Sequence, residues 1–339
     1  MQHAGNLVEA ERLFGIDRNQ WLDLSTGISP LAYPLSPLPA GLWQRLPLEN
    51  SALLSAAAGY YHCSSLLPVS GSQWAIQTLP RLRHGCRVAV AGPTYAEHAH
   101  CWQRHGHEVQ AVQTVSREQL LTASKSVDVL VLANPNNPTG TLHEKDFLLA
   151  LYENLREHQG WLLVDEAFMD FEDAQSLLPL VESLQAEGLL VLRSPGKIFG
   201  LAGARLGFVF AWPELLRLLS EEQGPWALPA PCLEVFRPVF LDRSWQRHTF
   251  AELESLSGRL RALLSSYGLH DSAGTTLFCY VETSLAPVIY REMAAQGVLL
   301  RLFESGSPAL RIGLPGCEPD WQRLNSALAS LTCLQGCVL

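Results

Sequence analysis

The stretch Ser194-Pro195-Gly196-Lys197-Ile198-Phe199-Gly200-Leu201-Ala202-Gly203-Ala204-Arg205-Leu206-Gly207 holds one lysine, with a serine three residues before it and an arginine eight residues after it. It follows the apolar run Leu189-Leu190-Val191-Leu192, so it reads as a loop at the end of a buried strand. Glycines at 196, 200, 203 and 207 let the backbone turn sharply and come close to a ligand. A lysine in this setting can form a Schiff base with an aldehyde cofactor, while Ser194 and Arg205 hold that cofactor's phosphate. Taken alone, the stretch reads equally well as a surface lysine in a Gly-rich connection between strands.

Three other strand ends carry chemistry of their own. Asn134-Pro135-Asn136-Asn137-Pro138-Thr139-Gly140 fixes paired amides between prolines, which a plain turn could also do. In Val164-Asp165-Glu166-Ala167-Phe168, Asp165 can pair with a protonated pyridine nitrogen and keep it charged, or it can serve as a helix cap. Pro93-Thr94-Tyr95 offers an aromatic face for a flat ring, or a core tyrosine. Gly71-Ser72-Gln73 opens a helix whose free N–H groups suit an anion, although most such turns are only caps.

These residues need a frame. Strand-like runs recur at 87–90, 107–112, 127–132, 161–164, 189–192 and 206–210, with helical stretches such as 144–158 between most of them. Near-continuous apolar strands alternating with helices predict a largely parallel sheet covered on both faces, with the ligand at the strands' carboxyl ends. A large domain is expected over 45–225, and a smaller α+β domain from 1–30 and 228–339. A proline-rich connection over 31–44 joins them. A long helix is expected from about Ser244 to Tyr267, and strands at 276–281 and 309–313.

Composition narrows the function class. The 339 residues are 47% hydrophobic and 17% charged, as in a packed globular protein. A net charge of −9 without a basic cluster argues against nucleic acid, so an anionic ligand must meet local arginines. No run is long enough to span a bilayer, and the N-terminus lacks the form of a signal peptide, so a cytoplasmic protein is expected. Eight cysteines show no zinc-like spacing, and no metal is expected; Cys333 and Cys337 read as an idle pair.

As a set, N-P-N-N-P-T-G, D-E-A-F, S-P-G-K and R-L-G resemble the fold-type I pyridoxal-phosphate enzymes of the aspartate aminotransferase superfamily through nearly the whole chain. The resemblance implies a seven-stranded-type sheet in the large domain and pyridoxal 5'-phosphate as cofactor. Lys197 is then the Schiff-base lysine, Asp165 the partner of the pyridine nitrogen, and Asn137 the partner of the ring hydroxyl. Tyr95 stacks on the ring, and Ser72, Ser194 and Arg205, with the Gly71 and Gln73 helix start, take the phosphate. A homodimer is implied as well.

Two subfamilies fit: histidinol-phosphate aminotransferases and the threonine-phosphate decarboxylases of cobalamin biosynthesis. His3-Ala4-Gly5-Asn6 resembles the H-G-G-N opening of the decarboxylases, and Leu22-Asp23-Leu24-Ser25-Thr26-Gly27-Ile28-Ser29-Pro30 resembles their L-D-F-S-x-N-I-N-P. Phe168 matches them too, where the aminotransferases usually carry tyrosine. This resemblance places His3, Ala4, Asn137, Arg301 and Arg311 at the substrate, the two arginines at its two anionic groups. Arg311 in Leu310-Arg311-Ile312 needs a buried ionic partner, whereas Arg301 reads nearly as well as a surface residue. Gly27, Ala4, Leu46 and Gly196 depart from the family pattern, which touches the substrate assignment more than the cofactor assignment. The expected reaction is decarboxylation of L-threonine O-3-phosphate to 1-amino-2-propanol phosphate. The alternatives are histidinol-phosphate transamination and a non-catalytic sensor.

Overall fold

The computed structural model describes residues 5–47, 51–184, 187–271, 273–304 and 306–334. His3 and Ala4 lie outside the described residues, as does Cys337. Contacts divide the chain into two compact units. The smaller takes residues up to Ala32, then Pro138–Gly140 and the chain from Arg247 onward; the larger takes Tyr33–Asn137 and Thr141–Gln246. The strands in chain order are β1 (Leu22–Asp23), β2 (Leu66–Val69), β3 (Arg87–Gly92), β4 (Glu108–Gln113), β5 (Val129–Ala133), β6 (Trp161–Asp165) and β7 (Leu189–Arg193). They continue with β8 (Gly207–Phe210), β9 (Ala273–Thr275), β10 (Phe278–Glu282), β11 (Val298–Leu299), β12 (Arg301–Phe303) and β13 (Ala309–Gly313).

In the larger unit seven strands form one sheet in the order β2-β8-β7-β6-β5-β3-β4. Neighbours from β7 to β4 pair in parallel, while β8 runs antiparallel to both β7 and β2. The parallel set follows from the long helical crossovers, and the reversal at β8 follows from the short lysine loop that replaces one. Every residue of β5 and β7 is buried, as strands covered on both faces must be. Val88, Val90, Val131, Leu163, Leu190 and Val209 form the centre of that core. The fold is the expected α/β one, with one strand more than the apolar runs predict: Pro68 and partial burial hide β2.

The unit boundary falls at Gln246/Arg247 rather than near 228. Three helices explain it: α1 (Leu7–Phe14) lies in the smaller unit, α2 (Ser51–Tyr61) in the larger, and later in the chain Ala230–Leu241 packs on α2. Phe240 meets Tyr60 and Tyr61 ring to ring at 5.3 and 5.7 Å, so this helix belongs to the larger core. The stretch from Tyr33 is also part of that unit: the Tyr33 amide donates to the Phe199 carbonyl at 3.0 Å, and its hydroxyl reaches Asp242 at 3.3 Å. The long helix is observed over Arg243–Ser266.

The smaller unit has a four-stranded antiparallel sheet, β12-β13-β10-β9, and the parallel pair β1-β11. Its register sets Arg301 directly opposite Arg311. Among the described residues, no helix is long and apolar enough to cross a membrane.

Candidate active site

In the larger unit, β2, β3, β5, β6 and β7 end on one edge of the sheet, and the residues singled out above follow those ends. At the β2 end, Gly71 takes φ +73°, and α3 (Ser72–Thr78) starts directly after it without a side-chain cap. Ser72 Oγ lies 2.9 Å from Ser194 Oγ. Arg205, also in the left-handed region at φ +61°, lays its guanidinium against Gly71, where an added Cβ would come within 2.9 Å of Nη2. Gly207 packs backbone to backbone on Ser72, so only hydrogen fits there. Two hydroxyls and a guanidinium therefore meet at a helix start. Among the described residues Arg205 makes no ion pair; Nη1 donates to its own loop at Ala202 O, 3.2 Å away.

At the β6 end Asp165 is buried, with Oδ2 3.0 Å from His98 Nε2 and Oδ1 accepting from the Ala167 amide at 3.1 Å. His98 sits in α4 (Glu97–Arg104) with no exposed surface. Sequence reasoning did not find it: one histidine on a helix gives no signal until the fold brings it to Asp165. At the β3 end Tyr95 donates its hydroxyl to Gln73 Oε1 at 3.0 Å, and Gln73 Nε2 donates to Glu97 at 2.9 Å. The Gln73 side chain thus braces Tyr95 instead of reaching toward a ligand. Burial, with Glu97 and Asp165 nearby, pushes the Tyr95 phenol up to about 12, so it stays protonated at neutral pH.

The loop after β5 is pinned by its side chains. Asn134 exchanges two hydrogen bonds with the His143 backbone at 3.0 and 2.7 Å, and Asn136 Nδ2 donates to Pro93 O at 2.9 Å. Half-buried Asn137 belongs to the larger unit, which the chain leaves at Pro138–Gly140 and rejoins at Thr141.

After β7, Lys197 sits half-buried in the one-turn helix Pro195–Ile198, and its Nζ lies 5.7 Å from the centre of the Phe168 ring. Gly196 is fixed by packing: a Cβ there would meet the Ala202 backbone at 2.8 Å. Behind the lysine, fully buried Arg193 pairs with Glu166 and Asp173 at 3.0 Å each and with Asp170 at 3.7 Å. Burial opposes its charge, and the three carboxylates outweigh that and hold its pKa above the ordinary value. This cluster locks β6 to β7 directly behind Asp165 and Ser194. Its sequence signal is a charged residue closing an otherwise apolar strand.

The smaller unit holds the other set. Arg311 is 6% exposed and donates through Nη2 to Ser25 O at 2.7 Å. Burial and then Arg301 lower its pKa, while Asp23 opposes the shift. Arg301 is partly exposed, and burial lowers its pKa as well. Two guanidinium groups opposed across one ladder repel each other, an arrangement that favours an anion between or beside them. A cleft beside Arg301 is lined by Asn6, Glu9, Leu13, Ser25 and Tyr290.

The family model "Aminotransferase class I and II" matches residues 46–332. The chain belongs to that family. It is a fold-type I pyridoxal-phosphate enzyme, and pyridoxal 5'-phosphate is the cofactor of the family. The chain is 44% identical over 328 residues to the threonine-phosphate decarboxylase of Pseudomonas aeruginosa, covering 97% of each, and 38% identical over 335 residues to that of a Sinorhizobium species, covering 97% and 98%. Identity to the histidinol-phosphate aminotransferase of Aeromonas hydrophila is 27% over 321 residues, covering 88% and 86%. A solved aspartate aminotransferase variant from Thermus thermophilus shares the fold, with a TM-score of 0.73 at 17% identity over 98% and 97% of the two chains.

The residues of the larger unit fit the cofactor on their own chemistry. The hydroxyl–guanidinium corner suits a phosphate, and a buried carboxylate fixed by a buried histidine suits a cationic ring nitrogen. The lysine that follows β7 suits an aldehyde.

Proposed function

We propose that this chain is a threonine-phosphate decarboxylase, releasing carbon dioxide from L-threonine O-3-phosphate to give 1-amino-2-propanol phosphate for the cobalamin side chain. The observation that carries this reading is the 44% identity to a threonine-phosphate decarboxylase across 97% of both chains. The opposed Arg301 and Arg311 support it, since the substrate brings both a carboxylate and a phosphate.

When bound, the cofactor supplies a positively charged ring that accepts the electron pair left as carbon dioxide departs. The protein does the rest. Lys197 would hold the cofactor's aldehyde through Nζ. Asp165, oriented by His98 at 3.0 Å, would keep the ring nitrogen protonated. Ser72, Ser194, Arg205 and the Gly71 helix start would hold the phosphate. Asn137 would donate to the ring hydroxyl, and Tyr95, braced by Gln73, would supply an aromatic face to the ring. Arg311 and Arg301 receive the substrate's two anionic groups by charge-assisted contacts. The contacts of Arg311 and Arg301 would orient the substrate's carboxylate for its loss. Lys197 Nζ would be the group that supplies a proton to Cα.

The deciding assay follows carbon dioxide and 2-oxo acids together. Carbon dioxide from phosphothreonine with no 2-oxo acid formed supports the proposal; transfer of the amino group from histidinol phosphate to 2-oxoglutarate overturns it. Lys197→Ala should abolish turnover and borohydride-trappable cofactor, and cofactor still trapped in that variant would remove Lys197 from its role. We further propose a cytoplasmic homodimer, supported by exposed Leu35, Trp43 and Leu46 along one short stretch of the larger unit.

A further inference from the structure

Ser25 is 2% exposed, and three separate parts of the smaller unit meet on it. Its Oγ accepts from the Gly5 amide at 2.8 Å, which ties down the chain entering α1. The same Oγ donates to Asp23 Oδ1 at 2.6 Å, and the Ser25 amide donates to that oxygen at 2.9 Å. Its carbonyl accepts from Arg311 Nη2 at 2.7 Å. Asp23 in turn opposes the depression of the Arg311 pKa, so its charge is felt at the guanidinium. Next to this knot the Gly313 amide donates to Leu24 O at 2.7 Å, and a Cβ at Gly313 would run into Thr26 O, so residues 24–26 lie hard against β13. Ser25 also lines the cleft beside Arg301, together with Gly5, Asn6 and Glu9.

We infer that Ser25 is a positioning residue that couples two things: the seating of the amino-terminal segment at Gly5, and the placement of the Arg311 guanidinium. The inference rests on the reading of Arg311 as an anion-binding residue for the substrate. The hydroxyl is the shared part. With one lone pair it receives Gly5, and with its proton it holds Asp23 beside Arg311, which leaves the Ser25 carbonyl turned toward Nη2. Loss of the hydroxyl releases Gly5 and Asp23 at once. Substrate binding should then weaken while the chemistry at the cofactor continues.

The test compares wild type, Ser25→Ala and Ser25→Thr as holoenzymes. For Ser25→Ala, KM for phosphothreonine should rise about tenfold with kcat changed less than about threefold, the pattern of lost ground-state binding. Cofactor absorbance should be unchanged, and amide exchange over residues 5–14 should be faster. Ser25→Thr, which keeps the hydroxyl, should return KM toward wild type. An unchanged KM in Ser25→Ala overturns the inference, as does a fall in kcat accompanied by altered cofactor absorbance, since that marks a general packing defect. If the wild type releases no carbon dioxide from phosphothreonine, the decarboxylase reading fails by itself. Exchange over residues 5–14, measured with and without inorganic phosphate, then decides: phosphate-dependent protection in wild type that is lost in Ser25→Ala upholds the coupling, and equal exchange in the two proteins overturns it.

Discussion

Asp165 and Arg205 illustrate two ways of making a charge available. Asp165 is buried, and its oxygens are already directed by His98 and the Ala167 amide, so little reorganisation is left for ligand binding. Arg205 is exposed and held by backbone geometry, in a left-handed conformation against Gly71. Arg205→Ala should therefore weaken cofactor affinity by about tenfold, the worth of a charge-assisted hydrogen bond near solvent, with little effect on folding. Titration of the apoenzyme with pyridoxal 5'-phosphate, followed by absorbance, measures it. The strand-end positions of Lys197 and Asn137 were legible because each stands beside glycine or proline just past an apolar run, and that of Asp165 because it closes such a run. His98 and the bracing role of Gln73 were not, because both depend on which helix faces which strand end, and spacing along the chain does not encode that.

Short elements explain most of what the sequence concealed in the fold. β12 is three residues long and half-buried, so it carries no period-2 signal, and Arg301 could be read as a surface residue; only its register with β13 pairs it with Arg311. Arg311 itself was legible, being a lone charge in a strand of apolar residues. β2 is similarly masked, and its approach is fixed by a side chain outside the site. Glu182, in the helix Leu178–Leu184, accepts from the Ser64 amide at 2.8 Å, the Ser64 hydroxyl at 2.7 Å and the Ser65 amide at 3.2 Å. The Ser64 hydroxyl leads the causes that pull its pKa down from 4.5 to about 2. The native state therefore binds fewer protons than the unfolded one in that window. The stabilisation is complete above 4.5 and is lost as pH falls toward 2. Glu182→Gln should show a smaller drop in melting temperature between pH 6 and pH 3 than wild type does, read by thermal unfolding at each pH.

For the whole molecule, a net charge of −9 is compatible with anionic ligands because the basic residues are placed locally: the opposed arginines in one unit, Arg205 in the other. The apolar surface is also local. Trp43 is 69% exposed, with Leu35 and Leu46 close by in sequence, more than an isolated surface residue needs. On the proposed homodimer, Trp43→Glu should shift sedimentation from dimer to monomer; a wild type that sediments as a monomer overturns the dimer, and a variant that stays dimeric places the subunit contact elsewhere. The mixed sheet has one further consequence. β2 pairs with β8 in a register that joins Leu66 to Phe210, and the hydroxyl–guanidinium corner joins Ser72 to Ser194 and Gly71 to Arg205. That corner therefore exists only once β8 lies between β7 and β2, so the chain from Gly71 to Phe210 must be complete and paired before it forms.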